Sequence, residues 1–121
     1  MKYLIFFTTA LLFSSCSENK TYSPAKTAEI VATSFLHNDK PTLKKHTTAV
    51  AYANLTSIQE MFIEDKNSDI NFKVVDQAID GEIVWIKYTT HSDPTPGIFK
   101  LIKENDIWKV THNGPRDRGP F

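Results

Sequence analysis

The spacing of apolar residues along the chain changes character near residue 70. Before that point it follows a helical period. In "PAKTAEIVATSFLHN", Ala25, Ala28, Val31 or Ala32, and Phe35 fall on one face of an amphipathic helix. Ser23 is placed to cap its first turn, Pro24 suits the first helical position, and Asn38-Asp39 ends it. Pro41 opens a short second helix, "PTLKKHT". The stripe Ala51, Leu55, Ile58 and Phe62, with Tyr52 and Met61 at its edges, predicts a third helix over residues 48–64, which "EDKNSD" breaks.

After Asp69 the period becomes two. "INFKVVDQAI", Asp80-Gly81 and "EIVWIKYTTH" predict a hairpin, because Asp-Gly supplies the positive φ values that a two-residue turn requires. "SDPTPG" reads as a longer turn, and "IFKLIKE" and "IWKVTHN" read as two further strands joined at Asn105-Asp106. Three helices followed by four antiparallel strands predict an α+β domain over residues 24–113, with the helices on one face of the sheet. The ending "GPRDRGPF", residues 114–121, disfavours both regular structures and predicts an irregular tail, solvated or folded back with Phe121 docked on the domain.

The N-terminal segment has a different character. Lys2 precedes an apolar run from Tyr3 to Phe13, broken only by Thr8 and Thr9. A run of about eleven residues fits a secretory leader and falls short of the roughly 20 that cross a bilayer as a helix. Ser14 and Ser15 follow, then Cys16, the one cysteine of the chain, and polarity switches at once to "SENK". The segment Phe13-Ser14-Ser15-Cys16 resembles the lipobox of bacterial lipoproteins, with Phe13 where leucine is usual. The resemblance implies a leader over residues 1–15, cut before Cys16, with a diacylglycerol on the Cys16 sulfur and residues 16–23 as lipidated cysteine and tether. It also explains why an exported chain carries a single cysteine. It implies membrane attachment in the bacterial envelope. Ser17 is not the aspartate that retains many such proteins at the inner membrane, so the expected destination is the outer membrane.

Composition narrows the rest. Without residues 1–15 the chain keeps 13 basic and 14 acidic side chains, and no basic stripe points to a nucleic-acid partner. The remaining 106 residues suit one domain. No second cysteine is present for a disulfide, so stability rests on the core.

The order of elements, with the first helix ending in "FLHND" and the last strand carrying "IWKV", resembles the cystatin-like cone domains of the nuclear-transport-factor type. More narrowly it is similar to small bacterial lipoproteins of unassigned function that carry such a domain. The resemblance covers residues 24–112 and implies a curved four-stranded sheet wrapped around a helix, with a mouth that often holds a small molecule. The same fold hosts isomerases, dehydratases, transport adaptors and inert modules, so no activity follows from it.

Candidate chemistry is sparse. His37, His46, His91 and His112 lie at no metal-ligand spacing, and there is no phosphate loop, GxSxG or HExxH. No catalytic residue, metal or cofactor is assigned. The even positions Ile70, Phe72, Val74, Asp76 and Ala78 would put Asp76 on the apolar face, where a carboxylate can act as a general base beside a tyrosine. Tyr52, Asp76, Tyr88, Trp108 and His112 are therefore the pocket candidates, and a hydratase or isomerase is the enzymatic alternative. The favoured reading is that a bulge turns Asp76 to solvent beside Lys73 or Lys87. The later strands are apolar on both faces, with Ile83, Trp85, Ile98 and Ile102 on the face away from the helices. That face needs cover: a twofold homodimer through Trp85, or a strongly curled sheet that shields it within one chain. The leading expectation is a non-enzymatic binding or interaction module for a small apolar ligand or a protein partner. A structural dimer or immunity-like partner protein is the further alternative.

Overall fold

A computed structural model describes residues 21–114 and 116–121. The leader and Cys16 lie outside the described residues. Among those described, three α-helices precede a four-stranded antiparallel sheet in the order β1-β2-β3-β4. The helices are α1 (Pro24–Leu36), α2 (Lys40–Lys45) and α3 (Ala49–Ile58), the last followed by a 3-10 turn, Gln59–Met61. The strands are β1 (Lys73–Asp80), β2 (Ile83–Thr90), β3 (Asp93–Glu104) and β4 (Ile107–Thr111). The α+β architecture is thus as the sequence predicts.

Local chemistry sets the helix ends. Ser23 Oγ accepts from the Lys26 N–H at 3.1 Å, and Pro24 occupies the first turn, where its missing donor costs nothing. Asn38, with φ +59°, closes α1. The Asp39 N–H then reaches Ser34 O at 2.8 Å and the Asn38 N–H reaches Phe35 O at 3.4 Å, the pair of bonds of a left-handed C-terminal cap. Asp39 and Thr48 cap α2 and α3 in turn. The third helix is shorter than its apolar stripe suggests. It stops at Ile58 because Gln59 turns inward, fully buried, with its Nε2 donating to Phe35 O at 2.9 Å and its Oε1 accepting from Lys40. One side chain thereby ties the ends of α1, α2 and α3 together.

The core lies between the helices and one face of the sheet. Ala28 and Val31 of α1 and Leu43 of α2 meet Val84, Ile86, Leu101 and Val110, all nearly or fully buried. The free edge of β4 is closed by the segment between α2 and α3, where Val110 donates to His46 O at 3.0 Å and accepts from Thr48 N at 2.9 Å. Backbone groups that would otherwise invite another strand are thereby satisfied. His46 is half-buried beside Tyr22 and carries a pKa below its ordinary value, through burial first and then the nearby Lys45 and Lys109 charges.

Two turns differ from the sequence reading. Asn105 and Asp106 both have positive φ, as a tight two-residue turn requires. At the first hairpin, Asp80 instead pairs with Ile83, so the loop is Gly81-Glu82 with only Gly81 at positive φ. The segment "SDPTPG" is not a long turn. The chain reverses at His91-Ser92, and Asp93 to Gly97 already belong to β3. Pro94 and Pro96 are tolerated because β4 pairs only with Lys100–Glu104, which leaves one side of β3 open here. A register irregularity between Tyr88 and Thr90 absorbs them on the other side.

The face away from the helices is covered by the chain itself. Ile83, Trp85, Ile98 and Ile102 do share that face, as expected from alternation. Trp85 is only 5% exposed, because the C-terminal tail folds back over it. The tail is shaped by Asn113 Nδ2 donating to Asp117 O at 2.8 Å and by Gly119 N donating to Asp117 Oδ1 at 3.1 Å. Gly119 lies flat on the indole, so close that a Cβ there would sit 2.6 Å from Trp85 Cε2 and Cε3. Phe121 ends under Lys87, whose Nζ is 5.5 Å from the ring centroid. The burial expected from a partner subunit at Trp85 is supplied within one chain.

Candidate functional site

Where the sheet runs past the end of α1, the core opens. Two stretches of chain set its walls. The C-terminal half of α1 contributes Ala32, Phe35 and Leu36, and α3 with the turn after it contributes Leu55, Ile58 and Phe62. Across from them stand Tyr88 of β2 and Gly97 and Phe99 of β3, with Thr90, Ser92, Asp93 and Thr95 at the rim. The space between is a cleft of about 250 Å³. Its walls are mainly apolar and its rim is polar, the arrangement usual for small-molecule sites.

The aromatic residues have defined geometry. Tyr88 is stacked between Phe72, at 5.2 Å between centroids, and Phe99, at 4.6 Å. Phe35 and Phe62 stand 5.8 Å apart at 40°. Gly97 makes the stack possible: a Cβ there would lie 2.7 Å from Tyr88 Cζ and Oη, so the strand backbone must pass directly against the ring. Burial, with the Asp93 charge as a lesser cause, pushes the Tyr88 pKa up to about 12. Its hydroxyl is thus a neutral group at physiological pH, and among the described residues no side chain or backbone group is hydrogen-bonded to it. Ile58 and Phe62 at the mouth remain 42% and 47% exposed. A ligand seated in the cleft would cover both side chains.

Of the five pocket candidates read from the sequence, the structure brings only Tyr88 into this cleft. Asp76 is a correction to the apolar-face reading. A β-bulge at Val75, between the pairs Val74–Tyr88 and Asp76–Lys87, reverses the alternation. Val74 therefore shares a face with Tyr88, while Asp76 is exposed on the opposite face beside Lys87, as the favoured alternative had it. Asp76 Oδ1 caps the Gln77 N–H at 2.8 Å. Tyr52 packs at the side of the core with Lys44 Nζ 5.9 Å from its ring centroid, and it does not line the cleft. Trp108 packs against the core under Lys103. His112 is exposed, with its Nδ1 3.3 Å from Asn54 Nδ2.

The sequence reading missed Phe35, Leu55, Ile58, Phe62 and Phe99 as cleft walls because they carry the same periodic signal as core residues. Asp93 was hidden in a segment read as a turn. Among the described residues, no group of three or more His, Cys, Asp or Glu side chains is placed to hold a metal ion, and no helix is long and apolar enough to cross a membrane. No protein-family model matches the chain, and no solved structure is significantly similar to it.

Proposed function

We propose that this chain is a bacterial envelope lipoprotein, held at the outer membrane by lipid on Cys16, whose single domain is a non-enzymatic module that binds a small apolar molecule. The observation that carries the binding reading is the cleft itself: about 250 Å³ between α1, α3 and the β2–β3 ladder, walled by aromatic and aliphatic side chains. In this reading the sheet and α1 form a cystatin-like cone and the cleft is its mouth, as the resemblance implies. The anchor rests on the lipobox-like Phe13-Ser14-Ser15-Cys16 and on the short polar tether that follows. The hydratase or isomerase alternative draws no support from the fold, because Asp76, the acid it needs, stands on the other side of the sheet from Tyr88.

The test is a fluorescence titration of the Cys16→Ala chain with N-phenyl-1-naphthylamine, an uncharged apolar reporter of suitable size. Saturable binding with one site per chain is expected. Ile58→Asp places a charge at the mouth, on a residue already 42% exposed, and should weaken binding at least tenfold without unfolding the domain. Ile79→Asp, at a residue 71% exposed on β1, should bind as the parent does. Absence of saturable binding, or equal behaviour of the two variants, would sink the binding reading.

A further inference from the structure

The charge at the rim of the cleft has one sign. Asp93 is the one acidic or basic side chain among the residues that line it. Its Oδ1 accepts from the Thr95 N–H at 2.9 Å, and no ion pair engages the carboxylate among the described residues. The other oxygen is left to solvent or to a guest. Four aromatic rings line the same space: Phe35, Phe62, Tyr88 and Phe99. Both faces of Tyr88 are taken by Phe72 and Phe99, but an open ring face such as that of Phe62 carries the negative end of a quadrupole, so a cation gains there while an anion is repelled. Desolvating an anion without a cationic partner would add to that cost.

We propose that the cleft selects a small organic cation with an apolar body, an alkyl- or arylammonium compound, seating its charge between the Asp93 carboxylate and the aromatic walls. The inference rests on the reading of the cleft as a ligand site and adds the chemical class of the guest. The ammonium N–H groups donate to the free Asp93 oxygen and to the Tyr88 hydroxyl oxygen, while the alkyl or aryl part lies against Leu55, Ile58 and Phe62. Burial is the first cause of the raised Tyr88 pKa and the Asp93 charge the second, in keeping with a carboxylate near the Tyr88 hydroxyl. A cleft built for a fatty acid or another carboxylate would carry a lysine or arginine where this one carries Asp93.

Three probes of equal chain length separate the possibilities: octylammonium, 1-octanol and octanoate, each below its micellar concentration at pH 7. Binding to the Cys16→Ala chain is followed by calorimetry and by NMR shifts of the Ile58 and Phe62 side chains. Octylammonium is expected to bind at least tenfold more tightly than octanoate, with 1-octanol between them. Asp93→Asn keeps the acceptor for the Thr95 N–H and so preserves the local fold. It should remove most of the preference for the cation while leaving 1-octanol within twofold of its parent affinity. Octanoate binding as well as octylammonium, or a preference that survives Asp93→Asn, would overturn the inference. If 1-octanol binds and the cation is not preferred, the cleft stands as a ligand site and only the charge selectivity falls. If none of the three binds, both fall. Shifts at Ile58 and Phe62 that follow dilution of the protein alone, with no response to any probe, would place a second copy of the chain in the cleft and overturn the inference.

Discussion

Cys16→Ala is expected to abolish acylation of the chain completely, and with it the cut before residue 16. Hydrophobic attachment by acyl chains is worth roughly 0.8 kcal/mol per buried CH₂, and one chain alone gives only marginal, reversible binding. Two or three chains on Cys16 would make the attachment effectively permanent, and none survives without the sulfur. No alternative anchor is visible in the folded part: no helix among the described residues is long and apolar enough to cross a bilayer. Fractionation of cells should find the parent wholly with membranes, and the variant should carry no acyl mass and keep its leader. Intact mass supplies the chemistry, with a parent chain that begins at Cys16 and carries acyl mass. An unmodified parent cut elsewhere, or a variant still cut before residue 16, would remove the lipoprotein reading and leave a free thiol to explain.

Gly119→Val is expected to lower stability by about 1–2 kcal/mol through release of the tail, since a β-branched residue at φ +61° is strained and meets the Trp85 indole. The size follows from two limits. A β-carbon at this position collides with the Trp85 indole, so the tail cannot remain where it is. The tail can also undock, which caps the penalty at what docking contributes. Uncovering about 100 Å² of indole costs roughly 2.5 kcal/mol, and freedom regained by the tail offsets part of that. Thermal unfolding should fall by about 5–10 °C for a domain of this length. In a Trp108→Phe background, which isolates the buried Trp85, emission should shift to the red and become open to acrylamide quenching. Unchanged emission with unchanged melting would show that the tail does not cover Trp85 in solution.

The contrast between the two faces of the sheet shows what a sequence pattern carries and where it stops. Alternation of apolar residues on β2 and β3 correctly indicates that both faces are buried. It cannot say by what, because Trp85 reads the same under a partner subunit as under the chain's own tail. Caps and tight turns were legible because each depends on one or two residues of fixed chemistry: Ser23-Pro24 for the start of α1, Asn105-Asp106 for the last hairpin. The bulge at Val75 left no such mark, yet it moves Asp76 across the sheet. The prolines at 94 and 96 misled for a related reason. Their meaning depends on whether a neighbouring strand needs their missing N–H groups, and β4 ends before it reaches them. The cleft was the least legible feature. Phe35, Leu55, Ile58 and Phe62 repeat at helical spacing whether they meet other side chains or face an opening. Only the early stop of α3 at Ile58, enforced by buried Gln59, leaves Phe62 at the mouth.

The most direct measurement of the binding reading is a set of intermolecular NOEs between 1-octanol and the isotope-labelled Cys16→Ala chain. Cross-peaks from the alkyl protons to the rings of Phe35, Phe62 and Tyr88 and to the methyl groups of Leu55 and Ile58 are expected, with none to Ile79 or Val75 on the exposed strand β1. Cross-peaks confined to those β1 residues, or scattered over all exposed apolar side chains alike, would contradict the account.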